Sequence, residues 1–358
     1  MMVKEMMIGQ HKIGKNYPAY FIADIAANHD GDLSKAKDLI YMAKEAGADA
    51  AKFQHFRAKS IVSDYGFRSL GNAASHQKSW KKSVYEVYQD AEVPIDWTPE
   101  LKETCTAAGI DFFTSPYDIN DLDYINQFVP AFKVGSGDIT YHQIVLAMAK
   151  YNKPLLIATG ASEIKEVQEL ISEVSIINDS IVLMQCNTNY TASAENFKYI
   201  QLNVLKQYSS LFPDVVLGLS DHTLGHTTVL GAIALGAKVI EKHFTSDNSL
   251  DGPDHKFSMN PESWKVMVES TRELESALGE ANKKVEMNEK ETVILQRRCL
   301  RAARHLSKGE RLAENDLIAL RPCPVDGIEP FRLKDVVGMR LRTTLQEGQD
   351  IQLGDLDA

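Results

Sequence analysis

The sequence lacks the features that are typical of secreted, membrane or disulfide-rich proteins. Its four cysteines, Cys105, Cys186, Cys299 and Cys323, are widely spaced and form no C-x-x-C pair among 358 residues, so we expect them to be reduced and structural. No uninterrupted run of about 18 apolar residues occurs, which disfavours a membrane span. The first residues also lack a sustained apolar segment of the kind that directs secretion. We therefore expect a cytoplasmic protein.

Positively charged side chains are also fewer than negatively charged ones. Lysine and arginine total 39 against 49 aspartate and glutamate residues, a net charge of −10 at pH 7, and the basic residues are scattered along the chain. Nucleic acid is therefore a poor partner. Because the overall charge cannot attract an anionic substrate, such a substrate would require a local pocket of lysine, arginine and backbone N–H groups.

Short apolar runs of strand length alternate with helical patterns from Tyr20 onward, which indicates a parallel sheet covered by helices. Eight such runs occur in about 260 residues, which fits a closed (β/α)8 TIM barrel better than an open doubly wound sheet. No G-x-G-x-x-G follows the first run, and this weakens a dinucleotide-binding alternative. The predicted strands are 20–25, 50–54, 111–115, 131–134, 155–159, 181–186, 215–219 and 239–244.

The remaining segments complete a two-domain prediction. Within the barrel domain, residues 1–280, the segment around Gly9-Gln10-His11 predicts a short hairpin that closes the bottom of the barrel. The polar stretch 57–79 is long for a connection in a compact domain, and we interpret it as a substrate-facing loop. Charged residues 281–293 predict a linker. Brief strands with glycine turns predict a second, mostly β domain over residues 294–358.

Histidines lie at the ends of the last two predicted strands, where (β/α)8 barrels place their active sites. His222 follows the seventh strand and His243 ends the eighth. Two imidazoles that converge at one point are good ligands for a first-row divalent metal, with a carboxylate and waters completing the shell. The pair therefore predicts a metal site at the barrel mouth.

Two lysines end other strands and predict an anion pocket. Lys52 and Lys133 stand inside apolar strand runs with their alternation facing the lumen, and an unpaired buried charge there would cost on the order of several kcal/mol. Ammonium groups and hydroxyls together bind phosphate. The hydroxyl side chains that would complete this pocket are Ser115, Ser136 and Ser220.

Three aspartates are further candidates. Asp24, which ends the first strand, is suited to position or deprotonate a water molecule. Asp138 and Asp254 offer carboxylates for sugar hydroxyls or for proton transfer. The segment around Asp254 is also typical of an ordinary loop turn, and only its place at the barrel mouth favours a contact.

Six motifs resemble the sialic acid (N-acetylneuraminate) synthase family, which includes legionaminate and pseudaminate synthases and ends in an antifreeze-like (SAF) domain. They are ADIAANHDG from Ala23, GADAAKFQ from Gly47, FKVGSGD from Phe132, GLSDHT from Gly218, GAKVIEKHF from Gly236 and GPDH from Gly252. The resemblance spans nearly the whole chain. It implies condensation of phosphoenolpyruvate with an N-acetylmannosamine-type amino sugar, giving a sialic acid and phosphate.

The resemblance also implies roles for individual residues. His222 and His243 would hold a divalent metal, manganese first, with magnesium or cobalt as alternatives, and the metal would polarise the sugar aldehyde. Tyr190 and Asp24 would lie beside the metal and the reacting water, with Gln54 close to the sugar. In a domain-swapped homodimer, the C-terminal domain of one subunit would contribute Arg321 to the other subunit's barrel. The implied phosphoenolpyruvate contacts are Lys52, Ser115, Lys133, Ser136, Thr188 and Ser220.

The sequence departs from the family pattern on the sugar and water side of the site. Asp24 and Asp138 stand where the family usually has glutamate, and Thr191 stands where it usually has proline. Which amino sugar is used, the N-acetylneuraminate, legionaminate or pseudaminate precursor, therefore stays open.

Two other functions are compatible with parts of the sequence. A related synthase acting on a phosphorylated sugar would need a second basic cluster, and none is present in the sequence, while the antifreeze-like domain also argues against it. A non-catalytic sugar- or ice-binding protein would keep the fold without turnover. The retained pairs of lysines and histidines argue against that loss.

Overall fold

The computed structural model of the protein describes residues 5–70, 80 and 82–357. The chain divides into two compact units, Met1–Gly279 and Glu280–Ala358. The segment predicted as a linker, 281–293, falls in the second unit, where it includes a 3-10 helix, Met287–Glu289, and the start of an α-helix, Lys290–Gln296.

The first unit begins with an antiparallel hairpin, β1 (Met6–Ile8) and β2 (His11–Ile13). In the described part of the chain, eight parallel strands follow, with the hydrogen-bonded order β5-β4-β3-β10-β9-β8-β7-β6. Because β5 also lies beside β6, the sheet curves into a TIM-type barrel, which confirms the predicted fold. The strands are β3 Tyr20–Asp24, β4 Ala50–His55, β5 Asp111–Pro116, β6 Phe132–Val134, β7 Leu155–Ala158, β8 Ile181–Cys186, β9 Val216–Asp221 and β10 Val239–His243.

Helices alternate with these strands. They are α1 Leu33–Glu45, α2 Ala58–Ile61, α3 Asp64–Leu70, α4 Val84–Asp90, α5 Thr98–Ala108, α6 Leu122–Ile125, α7 His142–Ala149, α8 Ile164–Ile177, α9 Val204–Leu211, α10 Thr227–Ala234 and α11 Pro261–Leu278. Short 3-10 helices cover Ile95–Trp97, Ile119–Asp121, Ser136–Asp138, Ala194–Tyr199 and His255–Phe257. Across the described residues, no helix combines the length and the apolar character needed to cross a membrane.

Helix ends follow the signals in the sequence. The side chain of Asn260 accepts a hydrogen bond from the backbone N–H of Ser263 at 3.0 Å, and Pro261 occupies the first position of α11. Proline suits that position because its missing N–H would have no partner there in any case. Helix α5 ends at Gly109, whose φ of 73° lies in the left-handed region that glycine adopts without strain.

Strand alternation divides the barrel core into two layers. Outward side chains such as Phe21 and Phe112 pack beneath the helices with Trp264. Inward side chains in the lower barrel form a second apolar cluster with the hairpin, to which Ile8 and Ile13 belong. The hairpin therefore fills the bottom of the barrel as predicted, and the polar inward residues are left for the upper end.

The prediction of one long loop over residues 57–79 is wrong for its first part. Helices α2 and α3 occupy most of 58–70, whereas 71–79 lie outside the described residues. The side chain of Ser63 accepts a hydrogen bond from the N–H of Gly66 at 3.0 Å, and Asp64 pairs with Arg68 one turn later. These are ordinary helix-start and i, i+4 signals, which the polar composition of the segment concealed.

The second unit contains small antiparallel strand pairs, as expected for the antifreeze-like domain, but short helices hold more of its residues than the predicted mostly β fold implies. Its elements are α12 Lys290–Gln296, β11 Cys299–Ala302, β12 Leu317–Leu320, α13 Leu333–Val336, β13 Arg340–Leu341 and β14 Leu356–Asp357, with 3-10 helices at Met287–Glu289, Glu314–Asp316, Pro330–Arg332 and Leu353–Asp355. β11 pairs with β12 and β13 with β14, both antiparallel. Leu300, Leu306, Leu345 and Ile351 belong to its separate small core.

Candidate active site

A cavity of about 450 Å³ opens where the barrel strands end at their C-terminal side. Most of the predicted site residues line it, although they come from separate parts of the sequence. These are Asp24, Lys52, Gln54, Ser115, Lys133, Ser136, Asp138, Tyr190, Ser220, His222, His243 and Asp254. Thr188 is not part of this lining, and Arg321 belongs to the second unit, so the substrate contacts of both stay predictions.

Two lysines lie in the buried part of the cavity. Lys52 and Lys133 are only 2% and 3% exposed. Nζ of Lys52 donates to Oδ2 of Asp24 at 2.6 Å, and Nζ of Lys133 donates to the carbonyl of Val134 at 2.8 Å. Since an ammonium group has three N–H donors, each lysine can also donate to a ligand. The pair is therefore suited to bind an anionic ligand, as the sequence predicts.

Glu241 lies between these two lysines. Its Oε1 is 3.8 Å from Nζ of Lys52 and 3.6 Å from Nζ of Lys133, and it accepts a hydrogen bond from Oγ of Ser220 at 3.3 Å. Glu241 was not among the residues predicted from the sequence. Its signal was its place two residues before His243 on a strand, which puts both side chains on the lumen side.

Burial and the neighbouring carboxylates act in opposite directions on the lysine pKa values. Burial disfavours the charged form of Lys52, but Asp24 and Glu241 outweigh it, so the pKa of Lys52 is raised. Burial dominates at Lys133, where Glu241 compensates only in part, and the pKa of Lys133 is lowered. Lys52 therefore stays protonated to a higher pH than Lys133 does.

Asp24 is held by several donors. Its Oδ2 accepts from Lys52 and from Nε2 of Gln54 at 3.2 Å, and its Oδ1 accepts from the backbone N–H of Ala26 at 3.1 Å. Nε2 of His243 is 3.6 Å from Oδ2. Although aspartate is one methylene shorter than the glutamate usual in the family, Asp24 therefore contacts Lys52 and lies near His243 at the same time.

The two predicted metal ligands lie side by side, with 5.3 Å between the ring centroids of His222 and His243. Nδ1 of His222 is 2.9 Å from the carbonyl oxygen of Asn187, so this nitrogen carries the proton and Nε2 keeps its lone pair. Burial, together with His222 and Lys52, lowers the pKa of His243 well below its ordinary value. The lowered pKa keeps the His243 ring neutral. At His222 burial also favours the neutral ring, but Cys186 and the carbonyl of Asn187 outweigh it and raise the pKa, so a metal there would take the place of a proton on Nε2.

The donor set fits a metal that takes two protein ligands. Nδ1 of His243 is buried and has no hydrogen-bond partner among the described residues. Asp24 and Asp254 each have an oxygen within 3.9 Å of a nitrogen of the His243 ring. In the described part of the chain, no group of three or more histidine, cysteine, aspartate or glutamate side chains is arranged to hold a metal ion. The other ligands would therefore be water or substrate oxygens.

Other buried polar atoms of the cavity also lack partners in the described structure. They include Oγ of Ser115 and Oε2 of Glu241. Leaving a buried polar atom unpaired costs about 1–3 kcal/mol. Together with Nδ1 of His243 they make three unpaired polar atoms on residues that line one cavity, which indicates that a polar ligand belongs there.

Aromatic side chains pack against the two histidines. The Tyr190 ring lies 4.4 Å from the His222 ring, and Phe257 lies 4.9 Å from His243, centroid to centroid. Sequence reasoning missed a further group that lines the cavity, because its members are scattered through connecting segments. This group is Phe56, Trp80, Tyr88 and Tyr117.

Gly160 brings another part of the site together. Its N–H donates to Oγ of Ser136 at 3.0 Å. A Cβ atom at this position would lie 2.6 Å from the Thr188 methyl carbon and 2.9 Å from Ser136 Oγ. Only glycine allows this close approach, which places Thr188 beside Ser136, just behind the cavity surface.

Two carboxylates near the cavity mouth have pKa values of about 6. Burial raises the pKa of Asp138 to about 6, with Lys133 opposing the shift. Burial likewise raises the pKa of Asp254 to about 6, although the N–H of Ala27 donates to it at 3.2 Å. Raised carboxylate pKa values of this kind are typical of functional sites, where a bound ligand supplies the hydrogen bonds that the protein does not.

Replacing Asp138 with asparagine is expected to stabilise the protein at pH 8 but not at pH 4. The raised pKa means that the folded state binds the proton more tightly, so the stability contribution of Asp138 falls as pH rises from its ordinary pKa of 3.8 through about 6. Thermal unfolding of both proteins at the two pH values checks this. An equal difference in melting temperature at both would contradict it.

The chain is similar to known proteins over nearly its whole length. Residues 39–283 match the NeuB family and residues 297–357 the SAF domain. The N,N'-diacetyllegionaminic acid synthase of Legionella pneumophila is 36% identical over 96% of each chain. The pseudaminic acid synthase of Campylobacter jejuni is 32% identical over 98% of this chain and 99% of its own.

Solved structures agree with the sequence matches. The crystal structure of the N-acetylneuraminic acid (sialic acid) synthetase of Leptospira borgpetersenii, in complex with citrate, matches with a TM-score of 0.71 and 27% identity, over 82% of this chain and 96% of that one. The chain is thus a TIM-type barrel followed by a SAF domain, and the relatives that it matches along its length are synthases. The chain belongs to the NeuB family of sialic acid and related nonulosonic acid synthases, which confirms the resemblance found in its motifs.

Proposed function

We propose that the protein condenses phosphoenolpyruvate with the open-chain form of an N-acetylated amino hexose, giving a nonulosonic acid and inorganic phosphate. The observation that carries this proposal is the pair of buried lysines beside a pair of buried histidines in one cavity. The first pair suits a phosphorylated, carboxylated substrate, and the second suits a metal that binds a carbonyl oxygen.

Phosphoenolpyruvate would bind at the lysine end. Lys52 and Lys133 would donate to its phosphate and carboxylate oxygens, and Ser115, whose hydroxyl has no partner among the described residues, would donate as well. Ser136 and Ser220 line the same region. These donors are fixed before the ligand arrives, so little reorganisation accompanies its binding.

The chemistry requires one new carbon–carbon bond and the loss of phosphate. The enol carbon of phosphoenolpyruvate attacks the sugar aldehyde, whose oxygen takes a proton and becomes a hydroxyl group. Water adds to the cation left at C2, and the bond from C2 to the phosphate oxygen then breaks to leave a ketone. In the net reaction one proton of the water ends on the new hydroxyl group and the other on the departing phosphate. Asp24, held between Lys52 and His243, would orient this water, and Tyr190 would lie beside it.

A divalent metal, manganese first, would be held by His222 and His243. When bound it would supply a Lewis acid that polarises the aldehyde oxygen. The two rings fit this role because Nε2 of His222 keeps its lone pair while Nδ1 donates to Asn187.

The sugar end of the cavity favours an unphosphorylated, N-acetylated substrate. Asp138 and Asp254 provide acceptors for hydroxyl and amide groups, and the wall formed by Phe56, Tyr88 and Tyr117 suits acetyl methyl groups and sugar ring faces. Among the described residues that line the cavity, Lys52 and Lys133 are the only lysines or arginines, which argues against a second phosphate. The relative from Legionella favours a diacetamido hexose. In a domain-swapped homodimer, Arg321 would contact the sugar.

A phosphate-release assay tests this function. The protein is incubated with phosphoenolpyruvate, Mn²⁺ and one of four sugars: N-acetylmannosamine, the diacetamido hexose precursor of legionaminate or of pseudaminate, and arabinose 5-phosphate. We expect release with one amino sugar and none after chelation of the metal. Release with arabinose 5-phosphate alone would replace this proposal by the phosphorylated-sugar alternative, and binding of the sugars without release would replace it by a non-catalytic role.

A further inference from the structure

A buried ion pair lies just outside the cavity lining, between the ends of β9 and β10. Lys242 and Asp221 have side chains that are only 1% exposed, and Nζ of Lys242 bonds directly to Oδ2 of Asp221. Strand alternation explains their direction: Ser220 and His222 on one strand, and Glu241 and His243 on the other, line the cavity. The residues between them therefore point away from it.

The pair stands at the end of the hydrogen-bonded ladder that carries both histidines. Lys242 and Asp221 are the last register partners of β9 and β10. His222 comes one residue after this pair, beyond the ladder, and His243 directly follows Lys242. The usual strand-to-strand bonds that fix His243 on β10 therefore do not extend to His222.

Lys242 compensates by holding the chain on both sides of His222. Besides its bond to Asp221, its Nζ donates to the carbonyl oxygen of Thr223 at 2.6 Å. Residues 221 and 223 flank His222, so one ammonium group on β10 binds both neighbours of a histidine that follows β9. The same lysine is covalently next to the other histidine.

The carboxylate of Asp221 secures the rest of the turn. It accepts from the N–H of Thr223 at 3.2 Å, from the hydroxyl of Thr223 at 2.8 Å and from the hydroxyl of Thr228, at the start of α10, at 2.7 Å. Apart from Lys242, every partner belongs to the segment that follows β9. Each of its side-chain polar atoms has at least one partner and the residues are buried, so the network resists displacement of the turn.

Stability alone does not account for such a pair. Buried ion pairs are often no more stabilising than apolar side chains of the same size, because both charges lose their hydration. Groups just behind metal ligands, in contrast, fix ligand geometry, and their loss typically lowers metal affinity by about 10- to 100-fold.

We propose that Asp221 and Lys242 are positioning residues that set the spacing of the His222 and His243 rings, 5.3 Å between centroids, and thereby the affinity for a divalent cation. The inference rests on the proposed function only in taking these two histidines as metal ligands. It assigns a role to two strand-end residues that touch neither the cavity nor the substrate.

Titration calorimetry with Mn²⁺ tests the inference on the full chain. We expect the dissociation constant to rise at least about tenfold in Lys242→Met and in Asp221→Asn, while phosphoenolpyruvate binding without metal stays within about twofold of the wild type, since Lys52 and Lys133 are untouched. Thr228→Val, which removes one bond to Asp221, provides a milder variant if the others fold poorly, and it should show a smaller rise.

Two further variants separate positioning from stability. Lys238→Met removes a lysine just before β10 that pairs with Glu275 at 3.4 Å, at the opposite end of the barrel, and its Mn²⁺ affinity should match the wild type. The double variant Asp221→Leu/Lys242→Met should regain stability without regaining affinity. Unchanged affinity in folded Lys242→Met, or an equal loss in Lys238→Met, would overturn the inference. Failure of the wild type to bind Mn²⁺ would overturn the metal site itself.

Discussion

Lys52→Met is expected to lower kcat/KM for phosphoenolpyruvate by about 1000-fold, the largest loss that we expect from a single lysine. Removing one fixed donor from a site where charge develops typically costs about 100- to 1000-fold. Here the same change also leaves Asp24 buried without its ammonium partner, at 2.6 Å in the wild type. Steady-state phosphate release and calorimetric binding of phosphoenolpyruvate measure the two parts of the loss.

The loss of stability must be measured in the same variant. Breaking a buried pair costs about 3–5 kcal/mol, so urea unfolding of Lys52→Met is needed beside the kinetics. Lys153→Met is the matched control, because Lys153 is half-buried just before β7 and donates to the carbonyl oxygens of Asn126 and Val129. It should unfold more easily and keep its kcat/KM. A folded Lys52→Met with wild-type affinity for phosphoenolpyruvate would refute the anion pocket.

His222→Ala and His243→Ala should each abolish Mn²⁺ binding and reduce phosphate release to the level of the chelated wild type. Each substitution removes one of only two protein ligands proposed for the metal, so the remaining imidazole cannot hold the ion against water. Calorimetry with Mn²⁺ and the release assay check the two effects separately.

A third buried histidine serves as the control for this experiment. His55 ends β4 and is bonded through both ring nitrogens, to the hydroxyls of Thr114 at 2.7 Å and Thr98 at 2.8 Å. Burial lowers its pKa to about 4. His55→Gln should therefore destabilise the fold while Mn²⁺ affinity stays at the wild-type value. Turnover in His222→Ala equal to the wild type would remove the metal from the proposed reaction.

The strands could be predicted because each one carries its own local signal. An apolar run of four to six residues that ends in a polar group is typical of a barrel strand. Lys52 and Lys133 were recognised for the same reason, since a lysine inside such a run needs a partner. The neighbours of each lysine in the sequence were enough to predict that its side chain is buried, paired and directed into the barrel lumen.

Features that depend on contacts between distant segments could not be predicted in this way. Tyr88 and Tyr117 reach the cavity from a helix and from a loop, and their own neighbours give no hint of it. The polar residues at strand ends also looked alike in the sequence. Alternation sends Glu241 into the anion pocket and Lys242 away from it, and only the packed structure shows that Lys242 bonds back to the turn after β9.

The hairpin at the lower end of the barrel bears on the order in which ligands come and go. Ile8 and Ile13 fill the barrel beneath the cavity, so a molecule approaches Lys52 and Lys133 from the rim, past the half-buried Asp138 and Tyr190. If two ligands share this cavity, the one at the lysines must arrive first, and the one nearer the rim must depart first. In kinetic terms this is ordered binding, in which the ligand at the lysines binds first and leaves last.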